Sequence, residues 1–238
     1  MLSDQRHNKE KIQQMFAAIS KRYDLLNRVL SFNQDKYWRR IAVSKLQVDG
    51  DSCWLDMCAG TGDVSIEMVK QEDFSGSVVA GDFCAEMLRY GIQKCKRLDI
   101  NNIKFVNADA ENLPFDKNTF DGAITAFGIR NIADRKKALL ELTRTVRNNR
   151  RIVILEFSSP TNRIFKSVYH CYFKRILPLS GSILSKNDTA YSYLPASVQA
   201  FPGRQEFAAL MKNVGMKNVE HFDLTFGIVT VYVGTTQK

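Results

Sequence analysis

Five short apolar runs, at residues 53–58, 77–82, 103–106, 120–125 and 151–157, recur through the middle of the chain. Segments of helical character at 64–70, 85–97 and 135–146 separate them. The run RIVILEF at 151–157 is the plainest strand of the set. Strands alternating with helices imply βαβ units, and therefore a parallel sheet covered on both faces. After a helix over 204–214, which Gly215 stops, two further strands lie near 219–224 and 228–234. No helix fits between them, so they pair antiparallel. The expected fold is a doubly wound α/β architecture: a mostly parallel, seven-stranded sheet with one antiparallel strand at its edge.

The flanks of this core are helical. Ile12, Met15, Phe16, Ile19 and Tyr23 fall three and four residues apart. Asp35 is placed to cap a second helix carrying Trp38, Ile41 and Leu46. Between the fifth strand and the closing unit, Phe165, Val168, Tyr169, Tyr172, Phe173, Ile176 and Leu177 form an aromatic stripe at helical spacing. Core packing accounts for such a stripe, and so does a lid or a membrane-facing surface. There is no internal repeat, low-complexity tract or Pro/Gly-rich linker, which favours one domain over 1–238. Its parts are N-terminal helices (1–48), a βα core (49–157), a helical insertion (158–203) and a closing helix with hairpin (204–238).

Charge and cysteine usage narrow the function classes. Thirty-four Lys and Arg against 25 Asp and Glu give a net charge of +9, which attracts an anionic surface, either nucleic acid or membrane. The same excess also serves plain solubility, since only Arg144, Arg147, Arg150 and Arg151 bunch. No run approaches the roughly 18 apolar residues of a spanning helix. The first eleven residues lack a signal-peptide core, so a cytoplasmic location is expected. Cys53, Cys58, Cys84, Cys95 and Cys171 include no Cys-x-x-Cys pair, so neither a metal nor a redox role is expected.

The turn after the first strand, Asp56-Met57-Cys58-Ala59-Gly60-Thr61-Gly62-Asp63, carries the strongest chemical signal. Gly60 and Gly62 let the backbone approach a ligand, and an open α/β sheet binds ligands beyond the carboxyl ends of its strands. Asp82 ends the second strand, 20 residues after Gly62, where a carboxylate can accept from both hydroxyls of a ribose. A helix cap for the segment from Ala85 is the structural alternative. Asp109-Ala110 follows the third strand, where a carboxylate meets an adenine amine, unless Asp109 is a plain loop residue. A dinucleotide site wants a third glycine three residues after Gly62, and Ser65 stands there. Asp56 and Asp63 beside the turn disfavour a diphosphate and favour the ammonium and sulfonium of S-adenosylmethionine (SAM). A SAM-binding enzyme is the reading that follows.

At this point the chain resembles a known family. The turn DMCAGTGD, the segments GDFCAEML and NADAENLPFDKNTFD, FGIRN, and YSYLPASVQAFPG are similar to those of the quinone-biosynthesis C-methyltransferases. The similarity runs from about Met15-Phe16, through KRYDLLN and Trp38-Arg39, to the closing hairpin, and YFKRILPLSG followed by FPG resembles the menaquinone branch. The resemblance implies methyl transfer from SAM to a ring carbon of a polyprenyl quinol, demethylmenaquinol before 2-methoxy-6-polyprenyl-benzoquinol. It also implies that Thr61, Asp82 and the Asp109-Ala110 pair contact SAM. The chain departs from the family at Asp109, where Asn is common, and at Arg147-Asn148-Asn149-Arg150, where the family has Lys-Pro-Gly-Gly. Asn tolerates the left-handed conformation that such a turn needs.

Arg130 and Asn131 follow the fourth strand and are placed to steady a developing phenolate. A helix cap at Asn131 and a surface ion pair at Arg130 are the structural alternatives. His170 and Tyr193 are weaker candidates for proton transfer. Thr125-Ala126-Phe127-Gly128 stands where amino-methylating nucleic-acid enzymes carry an Asn/Asp-Pro-Pro-Tyr/Phe turn, so nucleic acid is not the expected partner. Another small aromatic or lipid acceptor stays open, as does a homodimer. The acceptor's prenyl tail and the charge of +9 lead to an expected weak, peripheral contact with the inner face of the cell membrane.

Overall fold

The seven apolar runs assemble into one sheet: β1 (Cys53–Met57), β2 (Ser77–Asp82), β3 (Ile103–Asn107), β4 (Gly122–Ala126), β5 (Arg151–Phe157), β6 (Lys217–Leu224) and β7 (Val229–Thr235). Their order across the sheet is β3-β2-β1-β4-β5-β7-β6. The first five are parallel, and β7 runs antiparallel to both β5 and β6. This computed structural model describes the backbone of residues 2–160 and 188–237, with side chains over 9–160 and 193–237. The aromatic stripe at 165–177, His170 and Cys171 lie outside the described residues.

The reversed strand sits one place in from the margin, and composition explains why. A three-residue turn, Thr225–Gly227, forces β6 and β7 to be antiparallel neighbours. Of the two, VTVYVGT is buried along nearly its whole length, whereas KNVEHFDL is half exposed. The apolar strand takes the inner place beside β5, and the charged one forms the edge, where it discourages pairing with other chains.

Eight helices are described: α1 (Leu2–Ile19), α2 (Tyr23–Leu30), α3 (Gln34–Leu46), α4 (Asp63–Val69), α5 (Ala85–Arg97), α6 (Arg135–Thr145), α7 (Asp188–Gln199) and α8 (Arg204–Asn213). Side chains alternate across each strand, so neighbours in sequence feed opposite cores. Leu55, Ile152 and Ile154 join Leu139, Leu142, Phe207 and Met211 of α6 and α8. Trp54, Val153 and Leu155 join Trp38, Val43, Leu46 and Met68 of α3 and α4. The N-terminal preface thus breaks into three helices, and the third of them covers one face of the sheet.

Asp35 does not cap α3. It lies inside the first turn, buried against Arg28 and Arg39, and the N-cap is Asn33 in a left-handed conformation (φ 60°). Asn149 likewise takes the left-handed turn ahead of β5 (φ 57°), as its sequence anticipates. With β1 and β4 adjacent while the chain departs to β2 and β3 on the other side, the carboxyl ends of β1 and β4 flank the topological switch point.

Candidate functional site

A cleft of roughly 770 Å³, part of it continuous with solvent, opens at the carboxyl ends of β1, β2 and β4. Its floor is the turn after β1, where Cys58, Gly60 and Gly62 all take positive φ (63°, 55° and 77°). A Cβ on Gly62 would come within 3.1 Å of the Phe105 ring. The loop after β4 crosses this turn so closely that a Cβ on Gly128 would lie 2.2 Å from the Cys58 Cβ. Gly128 therefore lets the two loops meet, and burial pushes the Cys58 thiol far above its ordinary pKa.

Asp82 stands on the cleft wall with 6% of its surface exposed. One carboxylate oxygen accepts the Gly60 amide at 2.8 Å and the other accepts the Cys84 amide at 2.8 Å. The Phe83 amide also bears on this carboxylate, so it is aimed by main chain, and a carboxylate's four lone pairs leave room for a further donor. Burial raises its pKa to about 6 against the pull of these backbone hydrogen bonds. Gly60, Asp109 and Ala110 share this wall with Met87 and Phe83. Asp109 is met from above by the ammonium of Lys9, and its other oxygen accepts the Glu111 amide at 3.0 Å.

Asp56, Thr61 and Gly62 are absent from the lining and shape the turn from behind. Asp56 accepts the amide (3.0 Å) and hydroxyl (2.6 Å) of Ser65, holding the start of α4. Its second oxygen has no hydrogen-bond partner among the described residues, and burial lifts its pKa to about 7. Thr61 donates to Asp24 at 2.5 Å and accepts from Lys94 at 3.1 Å. Lys94 also reaches Asp63 at 2.7 Å, and Arg28 reaches the same carboxylate at 2.8 Å. This ion network binds α2 to the turn and, through Arg39, Lys94 and Arg28, holds the Asp63 carboxyl down to about 2 despite its burial.

The β4 end is different. Arg130 is 8% exposed and does not line the cleft. Its guanidinium pairs with the fully buried Glu156 at 2.8 Å, donates to the Phe127 carbonyl and lies over the Phe157 ring at 5.4 Å. Asn131 does line the cleft, and its carbonyl oxygen accepts the Tyr193 hydroxyl at 2.9 Å. That contact fixes the carboxamide, which also carries two amide N–H donors. Phe16, Tyr23, Phe127, Ile132 and Ala133 make the rest of this end apolar.

Sequence reasoning missed the contribution of α1 and α2 to the walls. Lys9, Ile12, Phe16 and Tyr23 close one side, pinned by Gln13, which donates to the Phe83 carbonyl at 3.0 Å. No local pattern says where an N-terminal helix packs. Glu156 was also missed, although a lone carboxylate within RIVILEF is a signal that a buried cation is near.

Residues 4–236 match the ubiE/COQ5 methyltransferase family. This chain belongs to that family. The ubiquinone/menaquinone biosynthesis C-methyltransferase UbiE of Citrifermentans bemidjiense is 48% identical over 227 residues, covering 95% of this chain and 96% of the relative. The demethylmenaquinone methyltransferase of Staphylococcus carnosus is 40% identical over 230 residues, covering 97% and 95%. Among solved structures, a SAM-dependent methyltransferase from Aquifex aeolicus superposes with a TM-score of 0.65. That match spans 92% of this chain and 98% of the other at 16% identity, a likeness of fold. As a member of the ubiE/COQ5 family the protein is a methyltransferase, on the fold that SAM-dependent methyltransferases use.

Proposed function

We propose that this ubiE/COQ5-family enzyme methylates a ring carbon of a polyprenyl quinol with SAM as donor, demethylmenaquinol being the acceptor. The observation that carries the reading is the Asp82 carboxylate, whose two oxygens are each held by a main-chain amide at the cleft wall. A vicinal diol fits that pair of acceptors. Asp109 and Ala110 lie along the same wall for the adenine, and the Gly60 turn gives close backbone approach. When bound, SAM supplies an electrophilic methyl group.

The protein's own part is position and solvation. The apolar end made by Phe16, Tyr23, Phe127 and Ile132 receives a flat ring and excludes water from it. Holding the ring carbon ortho to a hydroxyl in line with the methyl group supplies much of the rate. Such a carbon is more nucleophilic as its hydroxyl loses a proton, and Asn131, a neutral donor in the cleft lining, is the residue to steady the resulting oxyanion. Arg130 contributes at one remove, fixing the loop that carries Asn131: its amide donates to Glu156 at 3.2 Å and its guanidinium to the same carboxylate. The names of the relatives, with both UbiE and demethylmenaquinone methyltransferase among them, support a quinone acceptor.

Quinone profiling by mass spectrometry in cells lacking this protein tests the reading. Accumulation of demethylmenaquinone is the expected result. Accumulation of a methoxy-polyprenyl-benzoquinone moves the acceptor to the ubiquinone branch, and an unchanged quinone pool overturns both.

A further inference from the structure

The stretch joining α1 to α3 sorts its side chains by sign. Residues 20–40 contain six basic and two acidic side chains. Both acids have inward partners: Asp24 meets Lys94 and Thr61 at 2.5 Å each, and Asp35 lies buried against Arg28 and Arg39. The exposed charges are Lys21, Arg22, Lys36 and Arg40, all cationic, with Arg40 also 3.5 Å from Glu67.

Among these cations stand large apolar side chains. Leu25 is 54% exposed, Val29 44%, Phe32 75% and Tyr37 47%. Leu25 and Val29 are one helical turn apart on α2, about a quarter turn round from the buried Leu26, and Phe32 stands in the turn that follows the helix. A helix face meant only for water is polar. Apolar residues among cations, with both acids of the stretch engaged by basic partners, make the composition of an interfacial helix. The same helix begins with Tyr23, which lines the cleft.

We propose that this face of α2, with the first turns of α3, rests on an anionic bilayer. Leu25, Val29 and Phe32 enter the headgroup–acyl boundary, and Lys21, Arg22, Lys36 and Arg40 engage lipid phosphates. The cleft is thereby held beside the phase in which a polyprenyl acceptor dissolves. The purpose rests on the function proposed above; the surface chemistry does not.

The test is sedimentation of the full-length protein with vesicles of phosphatidylglycerol and phosphatidylcholine, or of phosphatidylcholine alone, at low and high salt. The protein should favour the anionic vesicles and lose that preference in salt. Each basic residue near such a leaflet strengthens binding about fivefold, so Lys21→Gln/Lys36→Gln should bind roughly 25-fold more weakly. Leu25→Ser/Val29→Ser should lose about tenfold or more by forfeiting its buried apolar area. Both variants should retain methyl transfer to a short-tailed, water-soluble quinol and lose it to a long-tailed quinol in vesicles. Parent-like vesicle binding by the two variants overturns the proposal. So does a shift from dimer to monomer in Leu25→Ser/Val29→Ser with vesicle binding intact, which assigns the face to a second copy of the chain. If the parent methylates neither quinol while the vesicle differences persist, the acceptor reading fails and the bilayer surface stands.

Discussion

At the β2 end of the cleft a carboxylate, Asp82, faces the cavity while main-chain amides hold both of its oxygens. At the β4 end the formal charge of Arg130 is turned away into a buried pair with Glu156, and the neutral carboxamide of Asn131 reaches the cavity instead. On the function proposed above, the contrast separates a cofactor end from an acceptor end. A pinned carboxylate reads hydroxyl donors at little reorganisation cost. A neutral donor in apolar surroundings accepts a greasy ring without demanding that an ion be stripped of its partner.

Glu156 gives the hardest test of that division. Glu156→Ala leaves the Arg130 guanidinium buried without its counter-charge and should lower stability by about 3–5 kcal/mol, read by urea denaturation. The paired change Arg130→Met/Glu156→Leu should recover most of that loss. If the double variant recovers its stability but loses SAM binding as well as methylation, the pair shapes both ends of the cleft and the contrast between them breaks.

Asp82→Ala should weaken SAM binding by about 1.5–3 kcal/mol, roughly 10- to 150-fold, in calorimetry. Unchanged affinity would remove Asp82 from the cofactor wall. The same carboxyl sets a pH dependence. With its pKa raised to about 6, Asp82 is protonated as pH falls through that value, so SAM affinity should decline there.

Asp56 should act on stability instead. Its folded pKa, raised to about 7 by burial, exceeds the unfolded value, so the folded state holds a proton that the unfolded chain releases. The stability from that bound proton is present at low pH and lost as pH rises through about 7. Asp56→Asn should therefore gain on the parent in thermal melts as the pH is raised. A gap that does not change with pH would mean that Asp56 is already ionised in the fold.

The smallest expected effect is at Tyr193. Tyr193→Phe removes one hydrogen bond to Asn131, costing about 0.5–1.5 kcal/mol in kcat/KM for the quinol, roughly two- to tenfold. SAM affinity should not move. A loss shared equally by SAM affinity would show that α7 supports both ends of the cleft.

What the sequence made legible follows the same line. The β1 turn and Asp82 were readable because strand, glycine and carboxylate are neighbours in sequence, and local spacing fixes where they end up. The boundaries of α5 and β5 came directly from apolar pattern. Arg130 was legible as a residue near the site but not as half of a buried pair, because its partner lies 26 residues on, within β5. The walls contributed by Lys9, Phe16 and Tyr23 depend on how α1 packs across the cleft, a long-range choice that no short window encodes. Asp35 looked like a cap because caps and buried ion pairs use the same residue types. Only the approach of Arg28 and Arg39 distinguishes them.

The inner place taken by β7 sets the order in which the protein can be completed on the ribosome. Strands β1 to β4 can pair as they emerge, each against a neighbour already made. The outer edge of β5, from Arg151 to Phe157, finds its partners only in Thr235 back to Val229. Until those residues leave the exit tunnel, RIVILEF is an apolar strand with an unpaired edge, the kind of template that recruits other nascent chains. Glu156 sits on that strand, opposite Thr230. Synthesis halted before residue 229 would thus leave every residue of the cleft lining made but the sheet open along β5, a species marked for chaperones rather than for chemistry.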